Sequence, residues 1–179
     1  RKGEGTQAEW SEFDLKKGWW TIPKVKSKNE RTHRVPLSKM AIDILKQAKE
    51  ISEDSIWIFP STKGRSITPR SISRAVRNNS RKKSHGSPKH TPPYGDFFNI
   101  DHFTPHDLRR TATSMMTSLK IAELDVSKVL NHTIQTVTSK HYNLYSYDNE
   151  KQSALRKWGR RLEAIIGGKT QGKIIQLQK

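Results

Sequence analysis

Residues 103–111 read FTPHDLRRT, which is the grammar of a helix start. The Thr104 hydroxyl can cap it. Pro105 suits the first helical position, where an N–H would be unpaired anyway, and Asp107 suits the positive end of the helix dipole. Leu108, Ala112, Met115, Met116 and Leu119 then recur at helical spacing as one apolar stripe. At 100° per residue, His106 and Arg109 stand about 60° apart on the helix surface. The stripe is expected to centre away from both, so that they project together into a cleft while Leu108 anchors the helix behind them. Arg110 falls nearer the stripe. An isolated H-x-x-R is usually structural, so its meaning depends on the rest of the chain.

That chain is strongly basic. Its 179 residues carry 34 Lys+Arg against 17 Asp+Glu, a formal charge of +17. Such a field attracts polyanions, nucleic acid first among them. The absence of cysteine excludes disulfides and thiolate metal sites. No apolar run approaches the roughly 18 residues of a membrane span. The chain opens with RKGEGTQAEW rather than an initiator Met and is expected to be a fragment.

Outward from the helix start, the pattern predicts an α+β fold, mainly α, with a small N-terminal three-stranded antiparallel sheet. FDLKKGWWTIP reads as strand, Lys-Gly turn and aromatic strand, with Trp19 and Trp20 packing one face; a third strand follows around His33–Leu37. Ser38 caps a helix whose inner residues are Met40, Ala41, Ile44, Leu45 and Ala48. Thr68-Pro69 opens another, with Ile72, Ala75 and Val76 inside. Arg70, Arg74, Arg77 and Arg81 run along its other side and are expected to meet phosphates, as is Arg110. Residues 80–103, rich in Pro, Gly, Ser and His, form a loop or insert. His85, His90 and His102 lack the spacing of a metal site. Short helices are expected at Leu124–Leu130, ending at Asn131, and near Thr136–Tyr142. A long one covers Asp148–Ile166, with Leu155, Trp158, Leu162 and Ile165 inward. The domain is set at 1–166 and a tail at 167–179, whose Ile174–Leu177 patch is a candidate for docking on a neighbouring protomer.

Beyond HDLRRT comes VLNHTIQTVTSKHYNLY, placing His132 past a helix end and Tyr142 ten residues later. H-x-x-R, then L-N-H, then tyrosine resembles the catalytic domain of tyrosine recombinases, the phage integrase family. The closing segment is most similar to integrases of prophages, satellite phages and genomic islands. Asn131 stands where that family mostly has Gly; Asn tolerates the left-handed backbone next best. The family's first arginine lies in T-G-x-R-x-x-E. RKGE places Arg1 and Glu4 there, without the preceding residues. Its lysine lies in a β-hairpin turn before a VPL-type strand, a place that Lys28 occupies, with Lys24 and Lys26 as competitors. Tyr145 and Tyr147 compete with Tyr142.

The resemblance implies a site-specific DNA recombinase. Arg1 and Arg109 would fork onto phosphate oxygens, staying charged at every working pH. His106 and His132 would donate to the same phosphate, His106 also taking the proton of the Tyr142 nucleophile. Lys28 would protonate the departing 5′ oxygen, leaving a 3′-phosphotyrosyl link. No metal, ATP or other cofactor is implied. The implied partners are double-stranded attachment sites, a homotetramer of the full-length protein on DNA, a DNA-bending host protein and an excisionase. The implied place is the bacterial cytoplasm, at the nucleoid. Upstream DNA-binding domains usual in the family would be missing, so weak, salt-dependent DNA binding is expected of the chain alone. A type IB topoisomerase or telomere resolvase shares this chemistry, and a decayed integrase would bind DNA without cleaving it.

Overall fold

The computed structural model describes residues 1–80, 98, 100–132 and 145–168. Within them the chain runs α1 (Lys2–Thr6), β1 (Phe13–Asp14), β2 (Trp19–Ile22), β3 (His33–Pro36), α2 (Lys39–Ser52), α3 (Pro69–Asn79), α4 (Pro105–Ser118), α5 (Glu123–Val129) and α6 (Asp148–Ile166), with single 3₁₀ turns at Trp10–Glu12 and Lys24–Lys26. The three strands form one antiparallel sheet in the order β1-β2-β3, as expected. Register pairs Phe13 with Trp20, Trp20 with Val35 and Ile22 with His33. Gly18, at φ +71°, closes the turn into β2 in a conformation that glycine adopts without a steric cost.

Successive strand residues face opposite ways, and that corrects the pairing of the two tryptophans. Trp20 stacks on Phe13 with centroids 5.2 Å apart and donates to Glu12, on the face shared with Ile22. Trp19 lies on the other face, beneath the Arg34 guanidinium at 4.3 Å.

The main core is helical. Met116 of α4, Ile121, Val126 of α5, Leu130 and Ala154 of α6 are buried together, with Leu119, Val129 and Trp158 against them. Four details differ from the stripe expectations, one being Ala75 of α3, expected inside and found exposed. On α2, Ile42 is half-buried while Ile44 is exposed. On α6, Ile165 is exposed and the buried positions are Lys151, Ala154 and Gly159. On α4, Leu108 is 58% exposed. The inward line there is Arg109, Ala112, Thr113, Met116 and Leu119. One step of three and one of four back from the fully buried Met116 reach Arg109, about 20° from it around the helix, whereas Leu108 stands about 80° away. Arg109 thus extends the packing face itself.

α6 is clamped to β3 by charge. Arg34 pairs with Asp148, and Lys151 donates to the Arg34 carbonyl at 2.8 Å while pairing with Asp148 at 2.9 Å. Gly159 lets α6 approach the cap of α2: a Cβ there would stand 3.0 Å from Cβ of Ser38. No described helix is long and apolar enough to cross a membrane. The expected helix near Thr136–Tyr142, most of the 80–103 insert and the end of the tail lie outside the described residues.

Candidate active site

The site is organised by the end of α5. The helix stops because Asn131 turns left-handed, at φ +53°. The His132 N–H then bonds the Ser127 carbonyl at 3.0 Å, and the Asn131 N–H bonds the Lys128 carbonyl at 3.2 Å. This paired closure fixes the direction in which His132 leaves the helix. It leaves the last carbonyls at the negative end of the helix without helical partners. Guanidinium groups take them. Arg109 donates through Nη2 to the Leu130 carbonyl, and Arg1 donates through Nη2 to the Asn131 carbonyl at 3.1 Å. Nη2 of Arg109 also lies 3.2 Å from Nε2 of His132.

Arg1 reaches this point because α1 holds it. Its Nη1 donates to Glu4 Oε1 at 3.3 Å, and its α-nitrogen to Oε2 at 3.2 Å. Glu4 is buried, at 7% exposure. Burial opposes its ionisation. The Lys28 main-chain N–H and the Arg1 guanidinium favour the carboxylate. Burial lowers the proton affinity of Arg109, and the charge of Arg1 lowers it further, with Glu4 opposing. His132 is pushed below the ordinary histidine pKa by burial, then by Arg109 and Arg1. Three cationic or donor side chains thus converge with one buried carboxylate behind them, an arrangement short of negative charge.

The lysines of the β2–β3 connection separate clearly. Lys26 is spent on structure: its Nζ binds Glu9 at 2.6 Å, Glu12 at 2.5 Å and the Gln7 carbonyl at 2.9 Å. Burial works against its charge, but the two carboxylates raise its pKa. Lys24 and Lys28 are exposed. Lys28 has its main-chain N 3.5 Å from Oε1 of Glu4, the carboxylate that holds Arg1, and stands between Ser27 and Asn29, both of which bond Asn131.

At the start of α4 the helix grammar holds. Thr104 Oγ1 accepts from the Asp107 N–H, and Asp107 accepts from the Thr104 N–H at 3.0 Å, a reciprocal cap. The Thr104 hydroxyl and N–H lower the Asp107 pKa. His106 is exposed on the turn before Arg109, and Arg110 is exposed with Asp107 at 3.7 Å. Tyr142 lies outside the described residues. Its two competitors are engaged elsewhere. Tyr145 donates to Glu150 at 3.0 Å, which raises its phenol pKa, and Tyr147 lies edge-on to Tyr145 beneath Lys128.

Arg70, Arg74 and Arg77 are exposed and line a shallow groove of about 450 Å³ with Thr68, Ser71 and Ser73. Arg81 lies outside the described residues. Lys2 donates to Ser73 at 3.1 Å, joining this basic face to the segment that carries Arg1. Lys2 went unnoticed in the sequence, as did the linkage through Ser27, Asn29 and Asn131. Only the left-handed habit of asparagine marked the last of these.

The profile of the phage integrase family matches residues 1–148, and the chain belongs to that family. Among curated relatives, the prophage integrase IntA of Escherichia coli (strain K12) is 26% identical over 168 residues, covering 94% of this chain and 37% of that protein. The integrase of Enterobacteria phage P4 is 36% identical over 72 residues, covering 34% of this chain and 16% of that one. The chain therefore spans well under half the length of these relatives. Its fold is similar to that of the XerA recombinase crystal structure, with a TM-score of 0.53 at 17% identity, over 90% of this chain and 53% of that one.

Proposed function

We propose that this chain is the catalytic part of a site-specific DNA recombinase that cleaves and rejoins DNA through a covalent 3′-phosphotyrosyl intermediate. The observation that carries the reading is the convergence of Arg1 and Arg109 on the two carbonyls that end α5, with His132 against the Arg109 guanidinium. A phosphodiester entering there would exchange those neutral carbonyl acceptors for its anionic oxygens, giving bonds charged on both sides.

Tyr142 Oη attacks the phosphorus and passes its proton to His106. The bond from phosphorus to the 5′ oxygen breaks, and Lys28 gives that oxygen its proton. Arg1 and Arg109 hold the charge of the five-coordinate transition state, each such donor contributing roughly 3–4 kcal/mol. The phosphotyrosyl bond keeps the energy of the broken backbone, so a second 5′ hydroxyl can reverse the step on another strand. Arg70, Arg74, Arg77, Arg81 and Arg110 bind neighbouring phosphates, and the duplex attachment site is the substrate. Assembly as a tetramer on DNA, with host and element proteins, belongs to the same reading.

A nicked half-site duplex whose cleaved end diffuses away tests it. The chain should form a covalent DNA adduct, and Tyr142→Phe should form none while still binding. Non-covalent binding without an adduct from either protein would instead favour a DNA-binding remnant.

A further inference from the structure

Asn131 does more than end a helix. Glycine takes φ +53° with less strain than any other residue, so the backbone alone does not need an asparagine there. What the side chain adds is specific. Its Nδ2 donates to Ser27 Oγ at 3.2 Å, and Ser27 is buried. Its Oδ1 lies 3.4 Å from Asn29 Nδ2, which also donates to the Asn131 carbonyl at 2.6 Å. That carbonyl is the one that holds Arg1. Ser27 and Asn29 bracket Lys28, whose own side chain is exposed and makes no hydrogen bond among the described residues. The next residue after Asn131 is His132, directed by the closure of α5.

We propose that Asn131 is a positioning residue that ties both neighbours of Lys28 to the helix end presenting His132, so that the leaving-group acid and the phosphate ligands are set by one joint. The inference rests on the reading of Lys28 as the acid. A long lysine whose side chain has no hydrogen bond among the described residues loses its reach if its loop drifts by an ångström, and proton transfer requires hydrogen-bond distance to the departing oxygen. The clamp suffers less from the same drift, because Arg109 is held by α4 and the Leu130 carbonyl, and Arg1 by Glu4.

The test uses two half-site duplexes, one ordinary and one with sulfur in place of the bridging 5′ oxygen. A thiolate leaves without a proton, so the sulfur substrate bypasses the acid. Single-turnover adduct formation is followed for Lys28→Met, Asn131→Gly and Asn29→Ala. Asn131→Gly keeps the left-handed turn, and Asn29→Ala leaves α5 untouched should the first variant fold poorly. Lys28→Met should lose about 100-fold on oxygen and recover on sulfur. Asn131→Gly and Asn29→Ala should each lose about 10-fold on oxygen and recover likewise. Wild-type rates for both on oxygen, or equal losses on the two substrates while Lys28→Met recovers, overturn the positioning role alone. Failure of Lys28→Met to recover overturns the acid assignment, and the coupling to it as well.

Discussion

Arg109 and His132 meet at 3.2 Å, and a guanidinium can only donate. Nε2 of His132 must therefore accept, which makes the DNA-free ring neutral with its proton on Nδ1. Burial and the charges of Arg109 and Arg1 all favour that neutral form. His132 should titrate below the ordinary histidine value of about 6.5, as followed by NMR of its ring protons. Arg109→Met should move its midpoint upward. A midpoint unmoved by that change would mean that the contact does not govern the ring.

The two lysines two residues apart should part company under substitution. Lys26→Ala strands Glu9 and Glu12 beside each other under the sheet, and a loss of about 1–3 kcal/mol in denaturant unfolding is expected. Lys28→Ala removes an exposed side chain and should change stability by no more than about 0.5 kcal/mol. Its effect should fall on DNA cleavage instead.

His33 is buried at 8% exposure, opposite Ile22 in the sheet. Burial first, and the charge of Lys151 next, lower its pKa to about 4, against a hydrogen bond with the Val129 main chain and the charge of Glu4. The unfolded chain binds this proton more readily than the folded one. The stabilisation is therefore complete above about pH 6.5 and is lost as pH falls toward 4. The loss is on the order of 3 kcal/mol. Urea unfolding at several pH values should show a flatter acid limb for His33→Gln by about that amount. Parallel limbs would contradict the burial of a neutral ring.

Gly159 tests the approach of α6 to α2. Adding Cβ gains about 1 kcal/mol of helix propensity but meets Ser38 Cβ at 3.0 Å, an atom fixed to the backbone. Gly159→Ala should come out near neutral. Gly159→Leu keeps that close contact with Ser38 and adds a branched side chain at the seam, and should cost about 1–3 kcal/mol in thermal or denaturant unfolding.

How far the sequence was legible depends on the range of the interaction. The cap and start of α4, the three strands and the bounds of α6 are set by neighbours within a few residues, and they read correctly. Ordered motifs brought Arg1, Arg109 and His132 together in expectation, and the structure brings them to the end of α5. The faces of helices read less well. Leu108 and Ile44 look like core residues by spacing, yet both are exposed, while Arg109 and Ile42 are half-buried. Which line faces inward is decided by the partner helix, not by the helix itself. The two fates of Lys26 and Lys28 were illegible for the same reason: Glu9 and Glu12 find Lys26 only once the sheet has formed.

The central claim is that Arg1 and Arg109 are held at the end of α5 to neutralise the charge of a scissile phosphate. Single-turnover adduct formation by wild type and Arg109→Ala, on an ordinary half-site and on one whose scissile phosphate is a neutral methylphosphonate, measures this directly. Arg109→Ala should lose about 10²–10³-fold on the phosphodiester and regain most of that on the methylphosphonate, which has no such charge to neutralise. An equal loss on both substrates, or no loss on the phosphodiester, would contradict the clamp.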